Sequence, residues 1–368
     1  MKTIACQNYF GRVPQFFAAG ILTLSCVAAP SAFAFADDET DATSFPQVEQ
    51  KVKGIKKRVR LLEAQVADLQ TQLLPVEVNV DCTPGNMVSD ALTAHADGTG
   101  LLTIRMSGTC TEAVVISRSN VRLEGQGAAS TIQTPTTATW GIAIMDNVRN
   151  VELRNLTVNG GTAAVMASKG AHAALWNVIA QQASSGVMAL DNGVLDVTGS
   201  TLRNNAQGVY AARGGVVSLS NSVVELNTIG VLSFKAGVIN LTTILPDLTT
   251  ASTGPVIRNN TNGAVARAGG YLELSDATIE GNQNYGVIVD SGSTLELFAL
   301  SATGNRITGN GAGGILAGKN GSLVISDVRN TITANLRGIV CQPDTSYSAP
   351  PGFTVTGNTI GDIVGCTP

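Results

Sequence analysis

A unit of 22 residues is written twice in succession near the middle of the chain. The segment GVMALDNGVLDVTGSTLRNNAQ at 186–207 is followed directly by GVYAARGGVVSLSNSVVELNTI at 208–229. Glycine aligns with glycine, Val-x-Ala with Val-x-Ala, and Asn205 with Asn227. An internal period of this length predicts a solenoid in which each repeat packs on the next.

Each repeat has room for three short strands. Along the second strand, Leu195 and Val197 alternate with the polar Asp196, and the alternation recurs one period later. It places apolar side chains inside and polar ones outside, and its reset at every turn is what a three-sided coil requires. Coils open near Gly141, Ala164, Gly186, Gly208, Gly230, Gly263, Gly286, Gly314 and Gly338. The pattern predicts an all-β fold of stacked parallel coils.

Asparagines recur three residues before the glycine that opens the next coil. They are Asn205, Asn227, Asn260, Asn310, Asn335 and Asn358. Parallel coils stack about 4.8 Å apart, so an asparagine amide can bond to the asparagines above and below it. We predict a structural Asn ladder; sugar binding by these amides is the alternative.

Charged residues form two further columns, in which the sign largely alternates. One contains Asp146, Lys169, Asp191 and Arg213, and the other contains Arg203, Glu225, Arg258 and Glu280. Alternation avoids the repulsion of stacked like charges. We interpret both columns as exposed ion ladders; a binding track is the alternative.

The amino terminus, residues 1–36, has the pattern of a secretory signal peptide. An apolar run over residues 18–29 precedes the small-x-small sequence Ala34-Phe35-Ala36. The run is too short to span a bilayer, so we predict no transmembrane segment in the mature chain. We expect an exported protein that is periplasmic, on the cell surface or extracellular. Acylation at Cys26 is an alternative.

The composition is poor in charge, with Asp, Glu, Lys and Arg at 14% and Gly at 40 of 368 residues. Such a chain suits short strands and tight turns. Removing Lys2 and Arg12 with the signal peptide lowers the basic count from 23 to 21 against 27 acidic residues. An acidic chain argues against nucleic acid as a partner.

Four cysteines remain in the mature chain, which are Cys82, Cys110, Cys341 and Cys366. An even count in an exported chain predicts disulfides. Three pairings are possible. We favour Cys82–Cys110 and Cys341–Cys366 because each pair lies at one end of the repeat region. Neither spacing resembles a zinc site, and we predict no metal and no cofactor.

An acidic leader at 37–45 is followed by a heptad pattern over residues 46–75. Its apolar residues are spaced alternately by four and three, and they are Val48, Val52, Ile55, Val59, Leu62, Val66, Leu69 and Leu73. This unbroken seam predicts a coiled coil, dimeric or trimeric, closed by Pro75. A single amphipathic helix folded on its own β domain is the alternative.

A short helix is predicted over Gly85 to Ala96, with Met87, Ala91, Leu92 and Ala94 on or near one face, as a cap for the end of the solenoid. The run GTCTEAVVISRSNVRLEGQGAASTI at 108–132 then resembles the opening coils of the pectin-lyase-like superfamily. The resemblance extends to about Thr359. It implies a right-handed parallel β-helix over residues 76–368 and a polysaccharide as ligand or substrate.

Catalytic signatures of this superfamily are absent. The sequence lacks the motifs of polygalacturonases, pectinesterases, pectate lyases and alginate epimerases. We interpret His95 and His172 as structural or exposed, because no acid–base partner is evident. A polysaccharide lyase based on Lys or Arg stays open, since it needs only a base and a neutralising cation.

Insertions interrupt the period at 242–255, 298–305 and 342–352, and such insertions build binding faces in solenoids. We predict a glycan site along this loop edge, with no catalytic residue assigned. Its residues are Asp247, Arg258, Arg267, Asp290, Arg306, Lys319 and Tyr347.

Outward positions of the first strand are apolar in the early coils, notably at Met166, Met188, Tyr210 and Leu232. A contiguous apolar patch marks a contact. We predict a homo-oligomer formed through the coiled coil and this face; coverage by the inserted loops is the alternative. The function predicted is binding, and in one version processing, of a polysaccharide. The alternative function is a non-enzymatic, oligomeric surface or adhesive protein.

Overall fold

The chain folds into a right-handed parallel β-solenoid, as the repeat predicts. The computed structural model describes residues 45–82, 85–127, 130–243 and 254–367. The signal peptide, residues 37–44 of the leader and Asp247 lie outside these ranges. Two compact units are distinguished, with the boundary between Leu61 and Leu62.

The strands of each coil belong in turn to three parallel sheets, which we call the first, second and third sheet. In the described residues the first sheet has 11 strands. They are Val114–Ile116, Trp140–Ile144, Ala163–Ala167, Ser185–Leu190, Gln207–Ala212, Ile229–Phe234, Asn262–Arg267, Tyr285–Val289, Gly313–Ala317, Arg337–Cys341 and Gly361–Val364.

The second sheet has 12 strands in the same ranges of the chain. They are Val76–Asp81, Leu102–Ser107, Val121–Gly125, Val151–Arg154, His172–Trp176, Val194–Thr198, Val216–Ser220, Val238–Leu241, Tyr271–Ser275, Thr294–Phe298, Ser322–Ile325 and Ser346–Ser348. Its inward residues, such as Leu195 and Val197, are buried as predicted.

The third sheet has 10 described strands of three residues, each with a single inward apolar side chain. They are Thr109–Thr111, Thr131–Gln133, Thr157–Asn159, Ile179–Gln181, Thr201–Arg203, Val223–Glu225, Val256–Arg258, Thr278–Glu280, Arg306–Thr308 and Thr331–Thr333. The insertions after Leu241 and Phe298 both leave between the second and third sheets, so they share one edge as predicted.

Glycine opens most coils because the backbone at this position lies so close to the next coil that a Cβ atom has no room. A Cβ atom on Gly208 would lie 2.6 Å from the carbonyl oxygen of Gly230 and would also meet the buried Val224 side chain. Register follows from this stacking, since Val187 pairs with Val209 and Val209 with Val231. The 22-residue period therefore determines both where each coil turns and which side chains are buried in the core.

The asparagines form a hydrogen-bonded ladder. The backbone N–H of Asn205 donates to Oδ1 of Asn227 at 2.9 Å. From Asn227 onward both the backbone N–H and Nδ2 of one asparagine approach the Oδ1 of the next, at 2.9 and 3.0 Å from Asn227 to Asn260. Asn282 also belongs to the ladder, although the spacing rule omitted it; it stands four residues before Gly286, as Asn310 does before Gly314. The ladder ends where Asn358 donates to Asp362.

Ion pairs form within the two charge columns. Arg213 donates two hydrogen bonds to Asp191, at 2.6 and 3.0 Å, and Lys169 lies 3.1 Å from Asp146. Asp191 and Arg213 both have positive φ, at 49° and 51°. The first column therefore follows the left-handed turn between the first and second sheets.

Two helices precede or cap the β-solenoid in the described residues: α1 spans Phe45–Leu73 and α2 spans Val88–Ala94. Helix α2 buries Val88, Ala91 and Leu92, whereas Met87, which we placed near the buried face, is 44% exposed. Met87 is the N-cap residue and precedes the first helical turn, so it does not share the buried face. Neither described helix has the length and apolar character needed to cross a membrane.

Both ends of the β-solenoid carry a disulfide. Cys82 bonds to Cys110 beside the capping helix, and Cys341 bonds to Cys366 in the last coil. These are the pairings favoured from the sequence.

Candidate functional site

Two loop-edge residues proposed from the sequence lie on the third sheet, in ion pairs. Arg258 Nε is 2.9 Å from Glu225, and Arg306 is 3.4 Å from Glu280. Each arginine is paired with the carboxylate of the preceding coil. Their charge is therefore already partly neutralised within the chain.

The other loop-edge residues are distributed over two further sheets. Arg267 ends a strand of the first sheet and lies 3.1 Å from Asp290, while Lys319 follows a later strand of that sheet and is exposed. Tyr347 lies in the last strand of the second sheet and packs against the core, and burial raises its pKa. The structure thus joins Arg267 with Asp290 but distributes the predicted set over three sheets.

A different concavity lies on the outer face of the second sheet, and we call it the groove. It has a volume of about 340 Å³, crosses the strands His172–Trp176, Val194–Thr198 and Val216–Ser220, and reaches Thr242. Among its lining residues are Trp176, Asp196, Thr198, Ser218, Ser220 and Thr242. The lining residues Thr198, Ser218 and Ser220 on the neighbouring strands have short side chains, so the larger indole of Trp176 projects beyond them.

Trp176 is 39% exposed and forms one wall of the groove. The guanidinium of Arg154 lies 5.7 Å from its ring centroid, a cation–π contact. Glu152 holds Arg154 at 2.9 Å and Arg122 at 2.7 Å. Burial raises the pKa of Glu152, but the hydrogen bonds and charges of the two arginines outweigh it and lower that pKa overall. The indole is therefore oriented by a charged network.

His172 has an acidic partner, contrary to the interpretation from the sequence. Its Nε2 lies 2.7 Å from Oδ2 of Asp196, on the next strand of the second sheet. The two residues are 24 positions apart, so only the stacking of coils brings them together. This pair places a carboxylate and an imidazole beside the groove.

A tyrosine and two glutamates occupy the next strands along the same face. Tyr271 donates its hydroxyl to Glu296 at 2.8 Å and approaches Glu273 at 3.5 Å. Glu273 and Glu296 are register partners on adjacent strands. Burial, followed by the hydrogen bond and charge of Glu296, raises the pKa of Tyr271.

Sequence reasoning missed Trp176 and the His172–Asp196 pair. The sequence did contain a signal for Trp176. It is a large aromatic residue at an outward position where the next two coils carry the small polar residues Thr198 and Ser220. In the described part of the chain, no group of three or more His, Cys, Asp and Glu side chains could hold a metal ion.

The chain was compared with known families and proteins. Two overlapping segments, residues 140–298 and 186–366, match the family described as the right-handed β-helix region. The chain belongs to this family. Comparison with the curated proteins gives no match.

The two matched segments include the groove but do not extend over the whole chain. Trp176, Asp196 and Glu296 all lie within the first matched segment. Both described helices and the first coils precede it. The family match and the parallel β-solenoid together identify the chain as a pectin-lyase-like parallel β-helix repeat protein.

Proposed function

We propose that the groove on the second sheet binds a polysaccharide. The observation that carries the proposal is the exposed indole of Trp176 beside a floor of hydroxyl side chains. A sugar ring has an apolar C–H face that packs on an aromatic ring, and hydroxyl groups that need polar partners. The groove offers both within one concavity.

Polar partners for sugar hydroxyls surround the indole. Asp196 offers acceptor oxygens, and Thr198, Ser218 and Ser220 offer hydroxyls that both donate and accept. The lining comes from successive coils, so the groove suits an extended polymer better than an enclosed small molecule.

The first test uses tryptophan substitutions and a panel of neutral, acidic and amino-sugar polysaccharides. Trp176→Ala should weaken binding by about tenfold or more, because a buried aromatic anchor contributes about 2 kcal/mol. Trp140→Phe is the matched control: the chain has two tryptophans, so this variant leaves Trp176 as the only source of indole fluorescence. Addition of the bound glycan should change that emission.

Retained binding in Trp176→Ala together with lost binding in Arg258→Ala or Arg306→Ala would contradict the groove and locate the ligand at the loop edge. If all three variants bind as the unmodified protein does, or if no glycan binds, neither the groove nor the loop edge is a glycan site. Turnover is followed separately, by ultraviolet absorbance of unsaturated products from uronate polymers.

A second candidate function is that of a non-enzymatic, oligomeric surface or adhesive protein. The observation that favours it is the exposed seam of α1, with Ile55 at 61% and Leu62 at 58% exposure. Apolar side chains at heptad spacing on an exposed helix suit a coiled coil with further copies of the chain. We place either function outside the cytoplasm, and the two disulfides are compatible with export.

A further inference from the structure

The outer face of the first sheet carries an unbroken column of apolar residues, which we call the apolar stripe. It runs from Val115 to Val364 through 11 successive register partners. The middle of the column consists of Met188, Tyr210, Leu232, Val265 and Ile288. Met188, Tyr210 and Leu232 are partly exposed, whereas Val265 and Ile288 are buried at 1% and 7% exposure. All of these positions carry apolar or aromatic side chains. The outer face of the second sheet differs, because it carries polar side chains such as Asp196 and Ser218.

We propose that the apolar stripe packs against the apolar stripe of a second copy, with equivalent coils of the two copies side by side. The two-fold axis would run parallel to the stacking direction of the coils. Each stripe residue then faces the same residue of the other copy. Positions on one flank of the stripe face positions on its opposite flank.

Both flanks lie on the same outer face as the stripe. Trp140 and Met145, respectively three residues before and two residues after the stripe position Ala143, are partly buried and pack against Met166, which is itself 6% exposed. The equivalent flanking positions in later coils can therefore be compared between two facing copies.

Some flanks match chemically in this arrangement, whereas Ser185 would face Leu190 and Gln207 would face Ala212, which are polar–apolar pairs. Trp140 would face Met145 and Ile229 would face Phe234, which are apolar pairs. Farther along the chain the flanking residues become polar together, since Asn262 would face Arg267. In the next coil the hydroxyl of Tyr285 would face the carboxylate of Asp290, which is paired with Arg267 of its own chain.

The opposite order of coils matches poorly. Reversal about the central Leu232 would place Leu190 against Asp290 and Lys169 against Lys319. The first pair would bury a carboxylate against an apolar side chain, and the second would oppose like charges. Self-complementarity thus selects the arrangement with equivalent coils side by side.

The area is also sufficient. Eleven coils stacked about 4.8 Å apart extend for about 50 Å, and the two flanks are about 16 Å apart along a strand. The face therefore covers about 800 Å², which is what each partner contributes to a stable interface of standard size.

Cross-linking of the full chain, with Cys6 and Cys26 replaced by Ser in every variant, tests the arrangement. Met188→Cys should give a covalent dimer with a short bifunctional thiol reagent. A spacer is needed because packed sheets are about 10 Å apart, beyond the reach of a disulfide. The native cysteines at 82, 110, 341 and 366 are already disulfide-bonded. Ser218→Cys, on the outer face of the second sheet, is the matched control and should give no covalent dimer.

Adding Leu232→Lys should abolish the cross-link and raise the dimer dissociation constant about a hundredfold or more, because the lysines would be buried at the axis. Val216→Lys adds the same charge on the other sheet and should change neither result. Equal cross-linking of Met188→Cys and Ser218→Cys would overturn the proposal, as would a monomeric mass at all concentrations. Cross-links formed only when Met188→Cys is mixed with Ile288→Cys would show reversed coils and also contradict it.

Discussion

The side chain of Asn260 has no exposed surface, and it joins three successive coils through hydrogen bonds. Its Oδ1 accepts from the backbone N–H of Asn227 at 2.9 Å, and its Nδ2 donates to the carbonyl oxygen of Val224 at 3.0 Å. In the other direction its backbone N–H donates to Asn282 at 3.0 Å. These bonds satisfy backbone groups that the turn leaves without a strand partner.

Replacing Asn260 with Ala should lower the free energy of unfolding by about 2–4 kcal/mol, because several buried polar groups lose their partners at once. Asn240→Ala is the matched control: Asn240 lies outward on the second sheet and should change stability by less than about 0.5 kcal/mol. Urea unfolding followed by circular dichroism measures both. Equal midpoints for the two variants would show that the ladder contributes little.

Residues that repeat were predictable, and residues that meet only through stacking were not. Asn205 and Asn227 share a period with the coil-opening glycines, so their column could be read from the sequence. Asn305 and Asn330 form a further pair, at 2.7 Å, whose members are 25 residues apart beside an irregular insertion. The His172–Asp196 pair is likewise invisible without the register between strands.

At the scale of elements, the two helices depend on different contacts. Helix α2 has no side-chain N-cap of its own. Glu112, which is 5% exposed, accepts hydrogen bonds from the backbone N–H groups of Val88 at 2.7 Å and Ser89 at 3.0 Å. A carboxylate at a helix N-terminus also complements the helix dipole. The cap comes from the turn before the first-sheet strand Val114–Ile116, which sequence spacing could not reveal.

Helix α1 was predictable from its heptads, and its association with further copies stays a prediction. Ile55→Lys should raise the dissociation constant of the oligomer at least about tenfold, because a charge at a core position of a coiled coil is costly. Gln50→Lys adds the same charge away from the seam and should have little effect. Sedimentation of the full chain over a range of concentrations measures both. An unchanged mass when Ile55→Lys is added to Leu232→Lys, which removes the contact through the apolar stripe, would contradict the coiled coil.

At the scale of the whole molecule, the β-solenoid is a one-dimensional stack in which each coil contacts its neighbours. Strands in each sheet pair with the coil before and the coil after, so one predicted coil determines the next. This is why the sequence predicted the architecture well: the same register recurs along each sheet. The groove depends on side chains that do not repeat, so the period carried no information about it.

A stack of this kind should lose structure from its ends, and the disulfides are at the ends. Cys82–Cys110 and Cys341–Cys366 join residues 28 and 25 positions apart. Chain-entropy arguments give each bond about 3–4 kcal/mol of stabilisation. Reduction should therefore speed hydrogen exchange in the first and last coils while the coils from Gly186 to Leu241 stay protected, because interior coils keep both neighbours. Mass spectrometry of exchanged peptides, with the oxidised chain as control, measures the difference. Uniform loss of protection along the chain would instead show that the whole β-solenoid unfolds as one cooperative unit.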